Sequence, residues 1–130
     1  MRGENVFHII DPEEMILAFT TKGGHVSGNL MKGIEFREPD VIKELKHRTK
    51  LKTKIGDVIR IRNYYFVIYK KHYNSKITSA DFEHVLKLAK EKIDNNDKLK
   101  TTIEDIEKFK DVLVDYFPNI RICKRSDWGS

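Results

Sequence analysis

Two adjacent lysines and a histidine, Lys70-Lys71-His72, follow directly on the apolar run Tyr64-Tyr-Phe-Val-Ile-Tyr69. In α/β sheets ligands bind where strands end, so an amine at this place can contact a phosphate or attack the anomeric carbon of a sugar. Two lysines leaving a strand can equally do no more than face water. A second feature is Gly23-Gly-His-Val-Ser-Gly28, which runs straight into Asn29-Leu-Met-Lys32. A glycine-rich loop that opens a helix offers free backbone N–H groups to an anion, which makes Gly23, Gly24, His25, Ser27, Gly28 and Asn29 candidate ligand contacts. The same glycines also suit a plain strand-to-helix connection that needs positive φ. Asp11 closes an apolar run, where a carboxylate can accept from an exocyclic amine, although Asp11-Pro12 also serves as an ordinary turn start.

Other chemistries are excluded by spelling. No serine-histidine-acid order, nucleophile elbow, P-loop or dinucleotide G-x-G-x-x-G is present. The histidines His8, His25, His47, His72 and His84 include no i, i+4 pair of the kind a helical zinc site uses, and His8 reads as a packed strand histidine. Cys123 is the single cysteine, so disulfide scaffolds and cysteine metal clusters fall away together. We therefore expect no metal and no cofactor.

Charge is unevenly spread. Residues 41–76 hold eleven Lys and Arg against Glu44 and Asp57, while the whole chain carries a formal net charge of only +5. The candidate basic surface comprises Lys43, Lys46, Arg48, Lys50, Lys52, Lys54, Arg60, Arg62 and Lys71. Such a surface concentrates anions, whether a nucleotide diphosphate, a nucleic acid or an acidic protein. It is also what a solvated Lys-rich helix face looks like.

The elements that must position these residues follow from the apolar pattern. A length of 130 residues suits one domain, burying about two-thirds of its unfolded surface. Val6–Ile10 and Met15–Phe19 read as buried strands, and Asp40 as the cap of a helix over 41–48. Residues 55–62 and 64–69 read as a hairpin around Asn63, with the second arm central in a sheet. Thr78 or Ser79 caps a helix from about Ala80 to Ile93, with Phe82, Val85, Leu86 and Ala89 on its buried stripe. A helix from about Thr102 to Phe117, with Ile103 and Ile106 on its buried side, stops at Pro118, and Ile120–Cys123 is the last strand. The expectation is a single α/β domain over 1–123, a mixed sheet flanked by helices, with 124–130 as a tail. No run approaches a membrane span and Met1-Arg-Gly-Glu-Asn5 lacks the apolar core of an export signal, so a cytoplasmic protein without membrane contact is expected.

The order of these pieces, with Ile55-Gly-Asp-Val-Ile-Arg-Ile61, Tyr64-Tyr-Phe-Val-Ile-Tyr-Lys-Lys-His72 and Ile77-Thr-Ser-Ala-Asp-Phe-Glu-His-Val-Leu86, resembles a macrodomain. It is similar to the compact branch that holds terminal ADP-ribose protein glycohydrolase and the DNA ADP-ribose glycohydrolase antitoxins. The resemblance covers residues 6–93, and more weakly 103–123. It implies ADP-ribose or a related nucleotide as ligand, with its diphosphate against Gly23–Gly28 and Asn29, and Asp11 in the place of the adenine-binding aspartate. It also implies Lys70 as the lysine that attacks ribose in an ADP-ribosyl glycohydrolase. The alternative is a non-enzymatic macrodomain-derived module whose basic segment, 41–76, binds nucleic acid or an acidic protein. The family pattern has a buried strand and a second glycine-rich loop with a catalytic acid where this chain has Asp94–Thr102, without glycine; at most a stunted strand, Lys98–Thr101, is expected there. Asp94, Asp97 and Asp105 are the carboxylates available to replace the acid.

Overall fold

The computed structural model describes residues 14–26, 28–50, 53–72, 74–94, 96–102 and 107–123. The expected first strand at 6–10, Asp11 and the tail lie outside the described residues. The strand around Met15–Phe19 is β1, Glu14–Thr21, which is buried at every position but Phe19. An apolar run without alternation is what a strand covered on both faces requires, and β1 is the middle of a five-stranded sheet. It pairs in parallel with β3 (Tyr64–Lys70) and with β4 (Lys98–Thr102). β5 (Arg121–Cys123) runs parallel to β4, and β2 (Val58–Ile61) runs antiparallel to β3, giving the order β2-β3-β1-β4-β5. The mixed sheet expected from the sequence is present.

Helices cover both faces. α1 (Gly28–Arg37) and α2 (Pro39–Thr49) bury Leu30, Met31, Ile34, Val41, Ile42 and Leu45 against Ile16, Ala18, Tyr64 and Phe66. α3 (Ser79–Lys92), a 3-10 turn at Glu107–Phe109 and α4 (Lys110–Tyr116) cover Met15, Leu17, Tyr65 and Val67. The expected stripe Phe82, Val85, Leu86 and Ala89 is buried, and Phe82 stacks on Phe109 with ring centroids 4.6 Å apart. α3 starts with a capping box: the Asp81 amide donates to the Thr78 hydroxyl at 3.2 Å, and the Asp81 carboxylate accepts from the Thr78 amide at 2.9 Å.

Three expectations need correction. Asp40 does not cap α2; the N-cap is Glu38, Pro39 opens the helix, and the Asp40 carboxylate instead pairs with Arg62. Arg62 also donates to Glu38 at 3.1 Å and holds φ at 53° in the β2–β3 turn, a left-handed conformation in which glycine or asparagine is usual. The helix expected from about Thr102 does not start there, because Thr102 ends β4; residues 103–106 lie outside the described residues, and Glu107–Tyr116 is helical. Third, the strand expected to be stunted at Lys98–Thr101 runs over Lys98–Thr102, is buried from Leu99 onward and is paired on both edges by β1 and β5. Its polar letters concealed it: Lys100 is buried and lies 3.5 Å from Glu14, whose carboxylate also accepts from Arg121 Nε at 2.9 Å.

The bend before β2 is equally specific. Gly56 adopts φ of +96°, and its amide donates to Ile68 O at 2.7 Å. The ammonium of Lys92 reaches Gly56 O at 3.1 Å and the Asp57 carboxylate at 3.0 Å, tying the end of α3 to the bend. Burial alone raises the pKa of Asp57, but the Lys54 amide and the Lys92 ammonium outweigh it and hold the carboxyl below its ordinary value. A depressed folded-state pKa stabilises above the unfolded value and the benefit disappears as pH falls through the folded one. Urea midpoints measured below pH 4 should therefore drop more steeply for the wild type than for Asp57→Asn. A Cβ on Gly56 would stand 2.6 Å from Leu88 Cδ1 and 2.9 Å from Leu88 Cβ. Gly56→Ala should cost about 1–3 kcal/mol in equilibrium urea denaturation, from φ strain and overpacking together.

Candidate functional site

The chain leaves β1 toward α1 and α2 on one face, while both neighbours of β1 lead to the other face: β3 to α3, and β4 to the 3-10 turn and α4. Connections that part to opposite faces open a crevice at the carboxyl end of a parallel sheet, and here that place is the end of β1. The residues there are Thr20 and Thr21 of β1, Lys70 of β3 and Thr102 of β4.

Two of the sequence-derived features meet at this edge. Thr21 pairs with Lys70 across the β1–β3 ladder, after a register shift between Thr20 and Thr21, and the Lys22 amide donates to Lys70 O at 3.1 Å. Gly23 and Gly24 follow at once, so the glycine loop and the lysine share one corner of the sheet. The Lys70 ammonium lies 5.0 Å from the centre of the Tyr69 ring, and Tyr69 meets Phe19 edge-on at 5.8 Å. A cation over a ring face is held by the ring quadrupole, so the amine has a defined resting position.

The loop itself is strapped by threonines that motif reasoning passed over. Thr20 Oγ1 donates to His25 O at 3.3 Å, the His25 amide donates to Thr21 Oγ1 at 3.3 Å, and Thr53 Oγ1 donates to Lys22 O at 3.1 Å. Gly24 is buried with φ of +68°, its amide donating to Thr21 O at 3.0 Å, whereas Gly23 and His25 are exposed. Gly28 and Asn29 form the first turn of α1, which follows the loop as expected. Ser27 and Asp11 lie outside the described residues. The signal that could have flagged the straps is the doubled Thr-Thr at the ends of both β1 and β4, where Thr20, Thr21, Thr101 and Thr102 are all buried.

Other candidates are dispersed. Asp94 and Asp97 stand before β4, at the amino edge of the sheet, and line a hollow of about 460 Å³ with Glu14 and Arg121. Asp97 accepts the hydroxyl of Tyr65. A five-residue strand, roughly 16 Å long at about 3.3 Å per residue, separates them from the end where Lys70 sits. Neither can serve as acid beside Lys70. Asp105 lies outside the described residues. The basic residues divide: Lys43, Lys46 and Lys50 are exposed on and just after α2, and Lys54 and Lys71 are exposed in bends. The three arginines are engaged within the fold. Arg48 donates to Arg60 O at 3.0 Å and pairs with Glu44, Arg60 lies over the Tyr65 ring, and Arg62 binds Glu38 and Asp40. Lys52 lies outside the described residues. Among the described residues no cluster of His, Cys, Asp or Glu could hold a metal ion, and no helix is long and apolar enough to cross a membrane.

No family model matches the chain, and no curated protein matches it. Solved structures do. The chain is similar to the macrodomain of Mycobacterium tuberculosis DarG, with 14% identity and a TM-score of 0.68 over 95% of this chain and 94% of that one. It is similar to the macrodomain of Thermus aquaticus DarG at 12% identity and a TM-score of 0.68, again over 95% and 94% of the two chains. Thermosipho africanus DarTG in complex with ADP-ribose matches at 14% identity and a TM-score of 0.63, covering 86% of this chain and 38% of that chain. At such identities the likeness establishes the fold, which is that of a macrodomain.

A Cβ on Gly24 would lie 3.0 Å from Thr49 Oγ1 and 3.4 Å from Leu45 Cγ. Gly24→Ala should cost about 1–2 kcal/mol in urea denaturation, because positive φ and contact with α2 oppose it together, while Gly23→Ala, which meets nothing within 4 Å, should cost less.

Proposed function

We propose that the crevice at the carboxyl end of β1 binds ADP-ribose or a related nucleotide. The observation that carries this reading is the meeting of the Gly23–Gly24 loop with Lys70 at the switch point of a macrodomain fold. The diphosphate takes the opening turn of α1, where amide groups and the helix dipole favour an anion, beside a loop whose Gly24 and His25 amides are held by Thr21. The similarity to a DarTG structure holding ADP-ribose supports the choice of ligand. Asp11 is assigned to the adenine, and Gly23, Gly24, His25, Ser27, Gly28 and Asn29 to the phosphates and adjoining ribose.

Removal of ADP-ribose from a macromolecule is the active form of this proposal. The deprotonated amine of Lys70 attacks the anomeric carbon; a C–N bond forms as the bond from that carbon to the macromolecule breaks, and the departing atom takes a proton. Water then cleaves the C–N bond, releasing ADP-ribose and the amine. With Asp94 and Asp97 at the far edge, Asp105 is the carboxylate left to supply the proton. The alternative, a non-enzymatic module that docks nucleic acid or an acidic protein on its basic surface, is favoured by the exposure of Lys43 and Lys46 on α2 and of Lys50 just after it.

Titration calorimetry and thermal shift with ADP-ribose should both respond, and silence from both at millimolar ligand defeats the nucleotide reading. Lys70→Ala should keep ADP-ribose binding yet lose release from an ADP-ribosylated substrate; unchanged release removes Lys70 as nucleophile. Nucleic-acid retention that weakens as salt rises from about 50 to 200 mM, in a protein silent toward ADP-ribose, would favour the alternative.

A further inference from the structure

A second hollow, of about 450 Å³, opens between the end of β3 and the first turns of α3. Its lining separates into two kinds of surface. Ile55, Tyr69, Ile77 and Val85 make an apolar part, and Ile55 leaves 42% of its surface uncovered. Lys71, Lys76 and His84, all exposed, stand around it together with Lys70 and Ser75. One carboxylate, Asp81, lines the hollow, and it is already engaged by the Thr78 amide at 2.9 Å in the capping box. Ser75 Oγ accepts from the His72 amide at 3.1 Å, which leaves its hydroxyl proton available to donate.

We propose that this hollow is a binding site for an organic phosphate, with the phosphoryl group held by Lys71, Lys76 and His84 and an apolar or aromatic body packed on Ile55, Tyr69, Ile77 and Val85. Phosphate is preferred over a carboxylate because its charge and three outer oxygens can engage two ammonium groups and a further donor at once. The volume lies in the range of small-molecule sites and exceeds the needs of a bare ion, so the occupant carries an organic portion. Apolar walls also exclude water from one side of the anion, which strengthens the ammonium contacts. The site lies on the α3 side of β3 and does not require ADP-ribose in the crevice at β1, so failure of ADP-ribose binding leaves its test intact.

The test is an amide-shift titration of the full chain with three probes: inorganic phosphate, phenyl phosphate and a dinucleoside monophosphate. Saturable shifts at Ser75, Ile77, His84 and Val85 are expected, with phenyl phosphate binding more tightly than inorganic phosphate. Saturation by phenyl phosphate supports a monoester as the ligand, and saturation by the dinucleoside monophosphate alone would overturn it in favour of a phosphodiester chain. Lys71→Ala with Lys76→Ala should weaken binding by about a hundredfold or more, and Lys71→Arg with Lys76→Arg should keep it. Shifts that do not saturate, that sodium chloride of equal ionic strength reproduces, or that persist in the alanine variant would overturn the proposal.

Discussion

The burial of β1 on both faces and along both edges is the constraint from which the rest follows. A strand paired in parallel on each side must have crossover connections, and those connections must cover both faces of the sheet. The chain meets this requirement by sending the segment after β1 to one face and the segments after β3 and β4 to the other. The crevice at the carboxyl end of β1 is a geometric by-product of that arrangement. Its lining is therefore set by whichever residues end the three strands, and here they are threonines and a lysine.

Threonine suits that position on two counts. A β-branched side chain fits a strand, and its hydroxyl can satisfy a backbone group where the ladder stops. Thr101 does this within the sheet, donating to Leu17 O at 2.7 Å, while Thr20, Thr21 and Thr53 secure the loop that follows β1. The glycine loop is thus a connection with a defined shape, packed by Gly24 against the end of α2.

Charge is used in two ways. The arginines latch elements together: Arg62 joins the hairpin to the start of α2, Arg48 reaches an outward carbonyl of the edge strand β2, and Arg121 meets Glu14 across the sheet. An edge strand with a side chain on its carbonyl is a poorer template for another chain. Lys43, Lys46 and Lys50 on and just after α2 and Lys71 and Lys76 beyond the end of β3 face outward, whereas Lys92 and Lys100 are held by Asp57 and Glu14. A count of basic residues along the chain merges these two populations, which is why residues 41–76 looked like one continuous surface.

What could be read from the letters were the elements whose burial is expressed as apolar periodicity or capping chemistry: β1, the hairpin, α3 with a cap at Thr78 or Ser79, the start of α1 after the glycines, and the macrodomain order of the pieces. β4 was legible only as a stunted strand, because Lys98, Lys100, Thr101 and Thr102 give no sign of burial. Only pairing between two strands, and the ion pair from Glu14 to Lys100, makes Leu99–Thr102 interior. The same holds for the cap of α2, where Asp40 had the right chemistry but Arg62, distant in sequence, claimed it. Local propensity thus determined which segments could be helix or strand. Which end of the sheet each charge occupies was decided by the parallel register of β1, β3 and β4, and that register placed Lys70 beside the glycine loop and Asp94 and Asp97 a strand's length away.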